Sequence, residues 1–233
     1  MRGVFITGTD TGVGKTLVAA GLLRVFAREG LHAVGMKPVA SGALQTPEGL
    51  RNEDALALQA AANTSRPYAL VNPYVFVPPI APHLAAAEAG ISIELSHILE
   101  AFQRLYAGVN AVVVEGVGGW QVPLSDNAGV PDLARALGLP VILVVGLRLG
   151  CLNHALLTAR AIRADGLALA GWVANGIDPG FERRAGNLAT LRQAISAPLL
   201  GDVPWQAGLS ADGLADCLNA AEIIRILDSS GRH

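Results

Sequence analysis

The segment GTDTGVGKT, residues 8–16, decides the fold of this chain of 233 residues. A short apolar stretch, Val4-Phe5-Ile6, precedes it, and apolar residues at helical spacing begin at Leu17. Strand, glycine-rich turn, Gly-Lys-Thr and helix follow one another as they do in a phosphate-binding loop. In such a loop the backbone N–H groups and the positive end of the helix face one anion. The layout therefore predicts phosphate binding; the alternative is a glycine turn that only joins strand to helix.

The spacing within this loop differs from the common phosphate-loop pattern. Five residues separate Gly8 from Gly14, where the common pattern has four. Deviant cell-division and partition ATPases carry a second lysine five places before the Gly-Lys-Thr lysine, and Asp10 stands at that place here. The loop thus favours a nucleotide-dependent metabolic enzyme over a partition ATPase or a GTPase switch. Lys15 is expected to reach the terminal phosphates, and the Thr16 hydroxyl to ligate Mg²⁺.

Composition predicts one globular domain over residues 1–233. Hydrophobic residues make up 52% of the chain and charged residues 15%, so a sizeable core can form. The net charge of −2 provides no general attraction to nucleic acid or to an anionic membrane. Cys151 and Cys217 are too few for a disulfide framework or a zinc site, which fits a reduced cytoplasm. We expect neither a signal peptide nor a membrane span, and a cytoplasmic location.

Apolar runs alternate with helical patterns along the whole chain. The runs suited to buried parallel strands are Val4–Thr7, Ala33–Met36, Ala111–Val114, Val141–Val145, Leu169–Ala174 and Leu199–Val203. Helical patterns lie at 15–28, 53–62, 94–106, 130–137, 152–164, 183–195 and 219–227. This alternation predicts an α/β fold with a doubly wound, mostly parallel sheet, and residues 64–83 are expected to form a long loop. Ligands of such sheets bind beyond the carboxyl ends of the strands.

Polar residues stand where this rule predicts chemistry. Lys37 follows the second predicted strand, and Glu115 ends the third. A carboxylate after an apolar run is costly unless it is paired or binds metal, so Glu115 is a candidate Mg²⁺ ligand. Asp54 opens a helix and is either a further oxygen ligand or a helix cap. On position alone Lys37 is either part of a polar pocket or a surface lysine in a turn.

Together, seven segments of the chain resemble dethiobiotin synthetase, in order from residue 3 to about residue 206. The segments that carry the resemblance are residues 8–16, KPVASG at 37–42, TPEGLRNEDAL at 46–56, EGVGGW at 115–120, PLSD at 123–126, LGCLNHA at 149–155 and GWVAN at 171–175. The phosphate loop alone is moderately specific. The loop followed in this order by Lys37, Ser41, Asp54 and Glu115 is highly specific.

The resemblance implies a cyclo-ligase of biotin synthesis that is ATP- and Mg²⁺-dependent and has a P-loop NTPase-like fold. Members of this family close the ureido ring of dethiobiotin on 7,8-diaminopelargonic acid with CO₂ and ATP. One amine captures CO₂ as a carbamate, ATP phosphorylates the carbamate, and the second amine closes the ring by expelling phosphate. Such chemistry needs fixed cations and hydrogen-bond donors more than a protein nucleophile.

The resemblance also assigns roles to residues. The catalytic group is Lys15, Lys37, Thr11 and Ser41, in which the lysines hold phosphoryl and carbamate oxygens and the hydroxyls donate hydrogen bonds. Mg²⁺ is expected at Thr16, Asp54 and Glu115. Nucleotide contacts are expected from Gly12, Val13, Gly14, Lys15, Thr16, Leu17, Asp54, Glu115, Gly116, Val117, Gly118, Asn175, Gly176, Pro204, Trp205 and Gln206.

Substrate contacts are expected from Ser41 and from the turn containing Gly150, Cys151 and Asn153, and the turn is expected to bind the carboxylate tail. In the family this turn binds the tail across a homodimer interface, so the site is shared between subunits. Cys151 as a nucleophile is the alternative interpretation. Asn175 and Asp178 also fit the Asn-x-x-Asp spacing of guanine-binding proteins, which leaves GTP open as an alternative to ATP.

The chain also departs from the family pattern. Gly12 occupies a position that is often acidic, and residues 207–218 remain unassigned. Two competing classes are a partition-type ATPase and an amidotransferase similar to cobyrinic acid a,c-diamide synthase. The first would have the loop lysine and a basic or amphipathic tail, and the second would need a glutaminase domain for which 233 residues leave no room.

Overall fold

The structure, a computed structural model, describes residues 2–231 and contains ten strands and ten helices in that range. The strands are β1 (Gly3–Gly8), β2 (Ala33–Met36), β3 (Val39–Ser41), β4 (Leu44–Thr46), β5 (Gly49–Arg51), β6 (Tyr74–Phe76), β7 (Ala111–Glu115), β8 (Val141–Leu147), β9 (Leu169–Gly176) and β10 (Leu199–Val203). The helices are α1 (Lys15–Arg28), α2 (Glu53–Ala61), α3 (Tyr68–Val71), α4 (Pro82–Glu88), α5 (Leu95–Tyr106), α6 (Val130–Leu137), α7 (Cys151–Ala164), α8 (Arg184–Ala194), α9 (Ala211–Asp216) and α10 (Ala220–Ser230).

Six of these strands form the central sheet, in the order β10-β9-β8-β1-β7-β2. Every neighbouring pair in this sheet is parallel. The short strands β3 and β6 form a separate parallel pair, and β4 and β5 form an antiparallel hairpin. The predicted α/β fold with a mostly parallel sheet is therefore confirmed.

Helices cover both faces of the central sheet. Along β7, Val112 and Val114 belong to a hydrophobic cluster that includes residues of α5 to α8, whereas Ala111 and Val113 belong to a second cluster that includes residues of α1, α9 and α10. Both faces of a parallel strand are buried in this arrangement, which explains why the strands are apolar runs without alternation. The sheet is wound from both sides, as the alternation of strand and helix patterns predicts.

The expected long loop at residues 64–83 is wrong, because this segment holds α3, β6 and the start of α4. Distant partners stabilise these short elements. The Lys37 N–H donates to the Val71 carbonyl, and the Asn72 side-chain amide donates to the Lys37 carbonyl at 2.7 Å. In addition, β6 pairs with β3, with Tyr74 opposite Val39. Such contacts depend on the tertiary fold and leave no periodic pattern within the segment itself.

The carboxyl ends of the strands gather at one edge of the sheet. β2 and β7 are neighbours, with Met36 opposite Val114. Lys37 directly follows β2, and Glu115 is the last residue of β7. The strand register therefore places these two residues side by side. The phosphate loop leaves the same edge after β1, between β7 and β8.

Within residues 2–231, the structure contains no helix that combines the length and the apolar character required to cross a membrane. That residues 1–233 form a single domain remains a prediction.

Candidate active site

The phosphate loop ends at Gly14, directly before the start of α1. Gly14, the residue before the helix, has a φ of 87°, a conformation that favours glycine. A Cβ atom at Gly14 would lie 2.2 Å from the Asn175 side-chain nitrogen, so a side chain has no room there. Among the described residues no side chain caps α1, and none in its first turn is acidic. The first N–H groups of α1 are therefore available to an anion.

A cavity of about 760 Å³ lies in front of this loop. Part of its wall is formed by loop residues 10–12 and 14–16, and another part by residues 79–82 at the start of α4. Lys37, Ser41, Asp54 and Glu115 also line it, together with residues 117–119 and Val122. The predicted phosphoryl, carbamate and metal residues thus share one cavity. The wall at 79–82 and Val122 were not predicted, because no charged or periodic pattern marks them.

Lys37 occupies the centre of the polar cluster in this cavity. Its ammonium nitrogen lies 2.6 Å from Glu115 Oε1 and 2.7 Å from Asp54 Oδ2. The Lys37 and Glu115 side chains are 4% and 1% exposed, whereas Asp54 is 41% exposed. The interpretation of Lys37 as a surface lysine is therefore wrong: it belongs to a polar pocket.

The helix-cap interpretation of Asp54 is also wrong. Asn52 caps α2, because its side-chain oxygen accepts hydrogen bonds from the N–H groups of Asp54 and Ala55. The Asp54 carboxylate therefore does not cap α2 and contacts Lys37 instead. Sequence reasoning missed Asn52, although an asparagine before a helical pattern is a common cap.

Charge and burial oppose each other in this cluster. Burial lowers the pKa of Lys15 to about 8, and the nearby Lys37 ammonium adds to this effect. Burial also acts to lower the pKa of Lys37, but the carboxylates of Glu115 and Asp54 outweigh it and raise that pKa. The pKa of Glu115 is raised by burial and by the charge of Asp54, which together exceed the opposing effect of Lys37. Burial acts to raise the pKa of Asp54, but the charge of the Lys37 ammonium and its contact with the carboxylate outweigh it and lower that pKa.

The cluster has the donor set of a magnesium site. The Thr16 hydroxyl donates to Glu115 Oε1 at 2.9 Å, and Asp54 Oδ2 lies 2.7 Å from the Lys37 ammonium that also contacts Glu115. Glu115 Oε2 is buried and has no hydrogen-bond partner among the described residues. In residues 2–231 no group of three or more His, Cys, Asp or Glu side chains is arranged to hold a metal. Two carboxylates and a hydroxyl fit Mg²⁺, which binds few protein ligands and keeps several waters.

The two predicted hydroxyl donors also face the cavity. Ser41 Oγ is buried without a hydrogen-bond partner among the described residues, whereas Thr11 is exposed, and both residues line the cavity. The carbonyl of Gly116 accepts a hydrogen bond from Lys37 at 3.3 Å, and Gly118 lines the cavity. The hydroxyls therefore lie in the same cavity as the two lysines.

Of the residues expected near the nucleotide base, Asn175 contacts the phosphate loop. The Asn175 side-chain amide donates to the Val13 carbonyl at 2.8 Å. A Cβ atom at Gly176 would lie 2.6 Å from the Trp205 backbone nitrogen, so Gly176 packs directly against the segment after β10. Trp205 is 49% exposed there. Asp178 Oδ1 accepts a hydrogen bond from the Gly180 N–H at 2.9 Å, and thus stabilises a turn.

The turn at residues 150–153 stands apart from the cavity. Gly150 precedes α7 and is exposed, as is Asn153, and the described lining of the cavity includes neither. Cys151 is buried, and this burial raises the pKa of its thiol, which disfavours the thiolate that a nucleophile requires. Residues 150–153 therefore do not line the cavity that contains Lys15 and Lys37.

The chain is similar to known proteins over most of its length. A family model described as an AAA domain matches residues 2–212. A protein of Xanthomonas oryzae pv. oryzae (strain PXO99A), named ATP-dependent dethiobiotin synthetase BioD, is 54% identical over 214 residues, which cover 90% of this chain and 96% of the relative. A relative of the same name from Pseudomonas aeruginosa (strain UCBPP-PA14) is 54% identical over 205 residues, covering 88% of this chain and 90% of its own.

A solved structure shows the same fold at low identity. The septum site-determining protein MinD from Pyrococcus horikoshii OT3, complexed with Mg-ADP, superimposes with a TM-score of 0.54. It is 15% identical, and the match covers 99% of this chain and 96% of that one. The likeness confirms the P-loop NTPase-like fold and says nothing further about activity.

The buried pair of Lys37 and Glu115 leads to a prediction about stability. Replacing Lys37 with methionine leaves the Glu115 carboxylate buried without its cation, a change that typically costs about 3–5 kcal/mol. Without the ammonium that opposes burial, the pKa of Glu115 rises further in the folded chain. A raised folded pKa favours folding at low pH and loses that contribution as pH increases. The deficit of Lys37→Met in urea unfolding should therefore grow from about pH 5 to about pH 8.

Two controls accompany this measurement. Lys37→Met/Glu115→Gln should recover much of the loss, because the buried charge is then gone. Arg24→Met, which breaks an exposed pair with Asp212, should cost at most about 1 kcal/mol. A deficit of Lys37→Met that is equal at both pH values would show that lost packing, rather than an unpaired charge, causes it.

Proposed function

The chain belongs to the ATP-dependent dethiobiotin synthetase family, and we propose that it closes the ureido ring of dethiobiotin from 7,8-diaminopelargonic acid, CO₂ and ATP. Family membership makes it a ligase of the cyclo-ligase type. The observation that supports the proposed chemistry best is the position of Lys37. This buried ammonium lies in the same cavity as the phosphate loop, between the two carboxylates suited to a metal.

The proposed reaction has three steps. One amine of the substrate attacks CO₂ and loses a proton, which forms a carbamate. A carbamate oxygen then attacks the γ-phosphorus of ATP, ADP leaves, and a carbamic-phosphoric mixed anhydride forms. The second amine attacks the carbamate carbon, the bond to the phosphate oxygen breaks, and the ring closes as phosphate and a proton leave.

The residues of the cavity suit this sequence, because each intermediate is anionic. Lys15 would hold the β- and γ-phosphates, and Lys37 would hold the carbamate and the phosphoryl oxygens as they transfer. The unpartnered hydroxyl of Ser41 and the exposed hydroxyl of Thr11 would donate hydrogen bonds to carbamate or phosphate. The apolar wall at residues 79–82 would keep water from the mixed anhydride.

Thr16, Asp54 and Glu115 would hold Mg²⁺. When bound there, the ion supplies positive charge next to the phosphates. The buried, unpartnered Glu115 Oε2 supports this assignment. Lys37 contacts the same two carboxylates, so the ammonium and the ion would share them.

We propose ATP as the nucleotide, as in the names of the relatives. Residues 12–17 would surround the phosphates with residues 116–118, and the base would lie near Asn175, Gly176 and residues 204–206. Asp178 already bonds to a backbone N–H in its own turn, which supports ATP over GTP.

The substrate tail would bind at residues 150–153 of a partner subunit. The turn is exposed and stands outside the cavity of its own chain, and Leu149 and Leu157 beside it are 91% and 57% exposed. A two-fold homodimer would use this surface twice and complete both sites. We propose that the enzyme works in the cytoplasm in this dimeric form, and without nucleic acid or membrane partners.

The decisive test is turnover with the purified protein. We expect phosphate release and dethiobiotin formation only when ATP, Mg²⁺, bicarbonate and 7,8-diaminopelargonic acid are all present. Omitting bicarbonate or the diamine should stop both. ATP hydrolysis at full rate without the diamine would contradict ring closure as the function and would favour a partition-type ATPase.

Loss of either lysine should nearly abolish ring closure. Removing an electrostatic donor of this kind typically lowers the rate by a factor of about 10²–10³. Lys37→Ala should still bind an ATP analogue, because Lys15 remains at the phosphates, whereas Lys15→Ala should bind it weakly. Circular dichroism must show both variants folded. Wild-type turnover by folded Lys37→Ala would remove that residue from the catalytic group.

The metal assignment predicts altered Mg²⁺ dependence. Asp54→Ala and Glu115→Ala each remove one oxygen ligand, so a higher Mg²⁺ concentration should be needed for half-maximal activity. Asp212→Ala, at an exposed position on α9, serves as the control. If the metal titrations of the two site variants superimpose on the wild-type curve, the two carboxylates pair with Lys37 and do not bind the metal.

The shared site can be tested by mixing inactive subunits. Lys37→Ala lacks the phosphoryl clamp, and Asn153→Glu repels the substrate carboxylate, so each homodimer should be nearly inactive. A mixed dimer has one site with both changes and one site with neither. Random exchange should therefore restore about a quarter of wild-type activity. If mass spectrometry confirms exchange and no activity returns, the turn does not serve a neighbouring site.

A further inference from the structure

Arg148 joins two parts of the carboxyl edge that are distant in sequence. It follows β8, and its guanidinium donates to Asp10 Oδ2 in the phosphate loop at 2.5 Å. The two side chains are 43% and 46% exposed. An ion pair this exposed adds little to folding stability, so its geometry matters more than its contribution to the free energy of unfolding.

Asp10 connects the Arg148 side chain to other residues of the phosphate loop. Its second carboxylate oxygen, Oδ1, accepts a hydrogen bond from the Thr11 N–H at 2.7 Å. Its backbone carbonyl accepts a hydrogen bond from the Lys15 ammonium at 3.0 Å. The orientation of Asp10 therefore bears on the backbone beside Thr11 and on the position of Lys15, the two residues that would face the phosphates.

The other end of the contact reaches the turn that begins α7. The backbone carbonyl of Arg148 accepts a hydrogen bond from the Cys151 N–H at 3.0 Å. This bond closes the turn through Leu149 and Gly150, and Gly150 has a φ of 92° within it. Arg148 thus bonds to the phosphate loop through its side chain and to the turn at 150–153 through its main chain.

We propose that Arg148 is a positioning residue that couples the phosphate loop to the turn at residues 150–153. The substrate half of this inference rests on the proposed function, in which that turn receives the carboxylate tail. In this proposal, nucleotide binding orders the phosphate loop and fixes the orientation of Asp10. Asp10 in turn fixes the Arg148 side chain, and Arg148 holds the turn at residues 150–153. By linkage, binding of ATP then favours binding of the diamine, and the diamine favours ATP by the same factor. Because the proposed dimer lends the turn to its partner, the coupling joins one subunit's nucleotide to the other subunit's substrate.

The test measures binding rather than turnover alone. Calorimetry gives the affinity of a non-hydrolysable ATP analogue with Mg²⁺, with and without saturating 7,8-diaminopelargonic acid, and the ratio of the two affinities is the coupling factor. Arg148→Gln should weaken analogue binding roughly two- to five-fold and bring the coupling factor close to one. Asp10→Asn should do the same, and the double variant should be no worse than either single variant, because all three remove one contact. Arg148→Lys, which keeps the charge, should restore most of the coupling.

Arg135→Gln is the matched control. Arg135 makes a comparable exposed pair with Asp132, at 2.8 Å, with side chains 52% and 46% exposed. Arg148→Gln and Arg135→Gln should change the melting temperature to the same small extent, but only the first should change the coupling factor. A merely structural role for Arg148 would lower stability and leave the coupling factor unchanged.

Three results would overturn the proposal: a wild-type coupling factor of one although calorimetry shows that the diamine binds, an unchanged factor in Arg148→Gln, or additive losses from Arg148→Gln and Asp10→Asn. Failure of the proposed function looks different. In that case wild type forms no dethiobiotin, yet Arg148→Gln still weakens the binding of the ATP analogue measured without the diamine. The nucleotide measurement thus tests the contact with the loop independently of the substrate.

Discussion

The buried ammonium of Lys37 between Glu115 and Asp54 is the interaction on which the site depends. Parallel pairing of β2 and β7, with Met36 opposite Val114, brings Lys37 and Glu115 to the same point of the sheet edge. Neither charge would be tolerated alone at this burial, because an isolated buried ion is poorly solvated. The pair and the register therefore require each other, because a shift of either strand by one residue would separate the two charges.

Four charged groups balance one another around this pair. Lys15 and Lys37 are two cations, and Asp54 and Glu115 are two anions, so the cluster is close to neutral before a ligand enters. The lowered pKa of Lys15, about 8, reflects burial and the second lysine. An incoming polyphosphate would stabilise both ammonium groups and raise the pKa of Lys15 again. Such a site is well suited to anionic intermediates, because its donors are fixed before the reaction begins.

The sequence predicts what depends on local pattern, and it misses what depends on distant partners. The six long strands are recognisable because their burial on both faces leaves apolar runs, and the rule of carboxyl ends brings Lys37 and Glu115 to the edge. The elements within residues 64–83 are missed, since β6 exists through its pairing with β3. The contact between Arg148 and Asp10 is missed for the same reason: 138 residues separate them. Asn52 is a different case, because its position before a helix could have been recognised as a cap.

The fold and the site carry different amounts of information about function. MinD from Pyrococcus horikoshii OT3 has the same layers of sheet and helix at 15% identity, so this architecture alone does not choose between classes of P-loop protein. What distinguishes these classes is the set of residues at the carboxyl edge of the sheet. Asp10 places a negative charge in the loop, where deviant partition ATPases carry a lysine, and Arg148 meets that charge from within the same chain. Within one chain, this ion pair and the hydrogen bond from the Cys151 N–H to the Arg148 carbonyl connect the phosphate loop to the turn at residues 150–153.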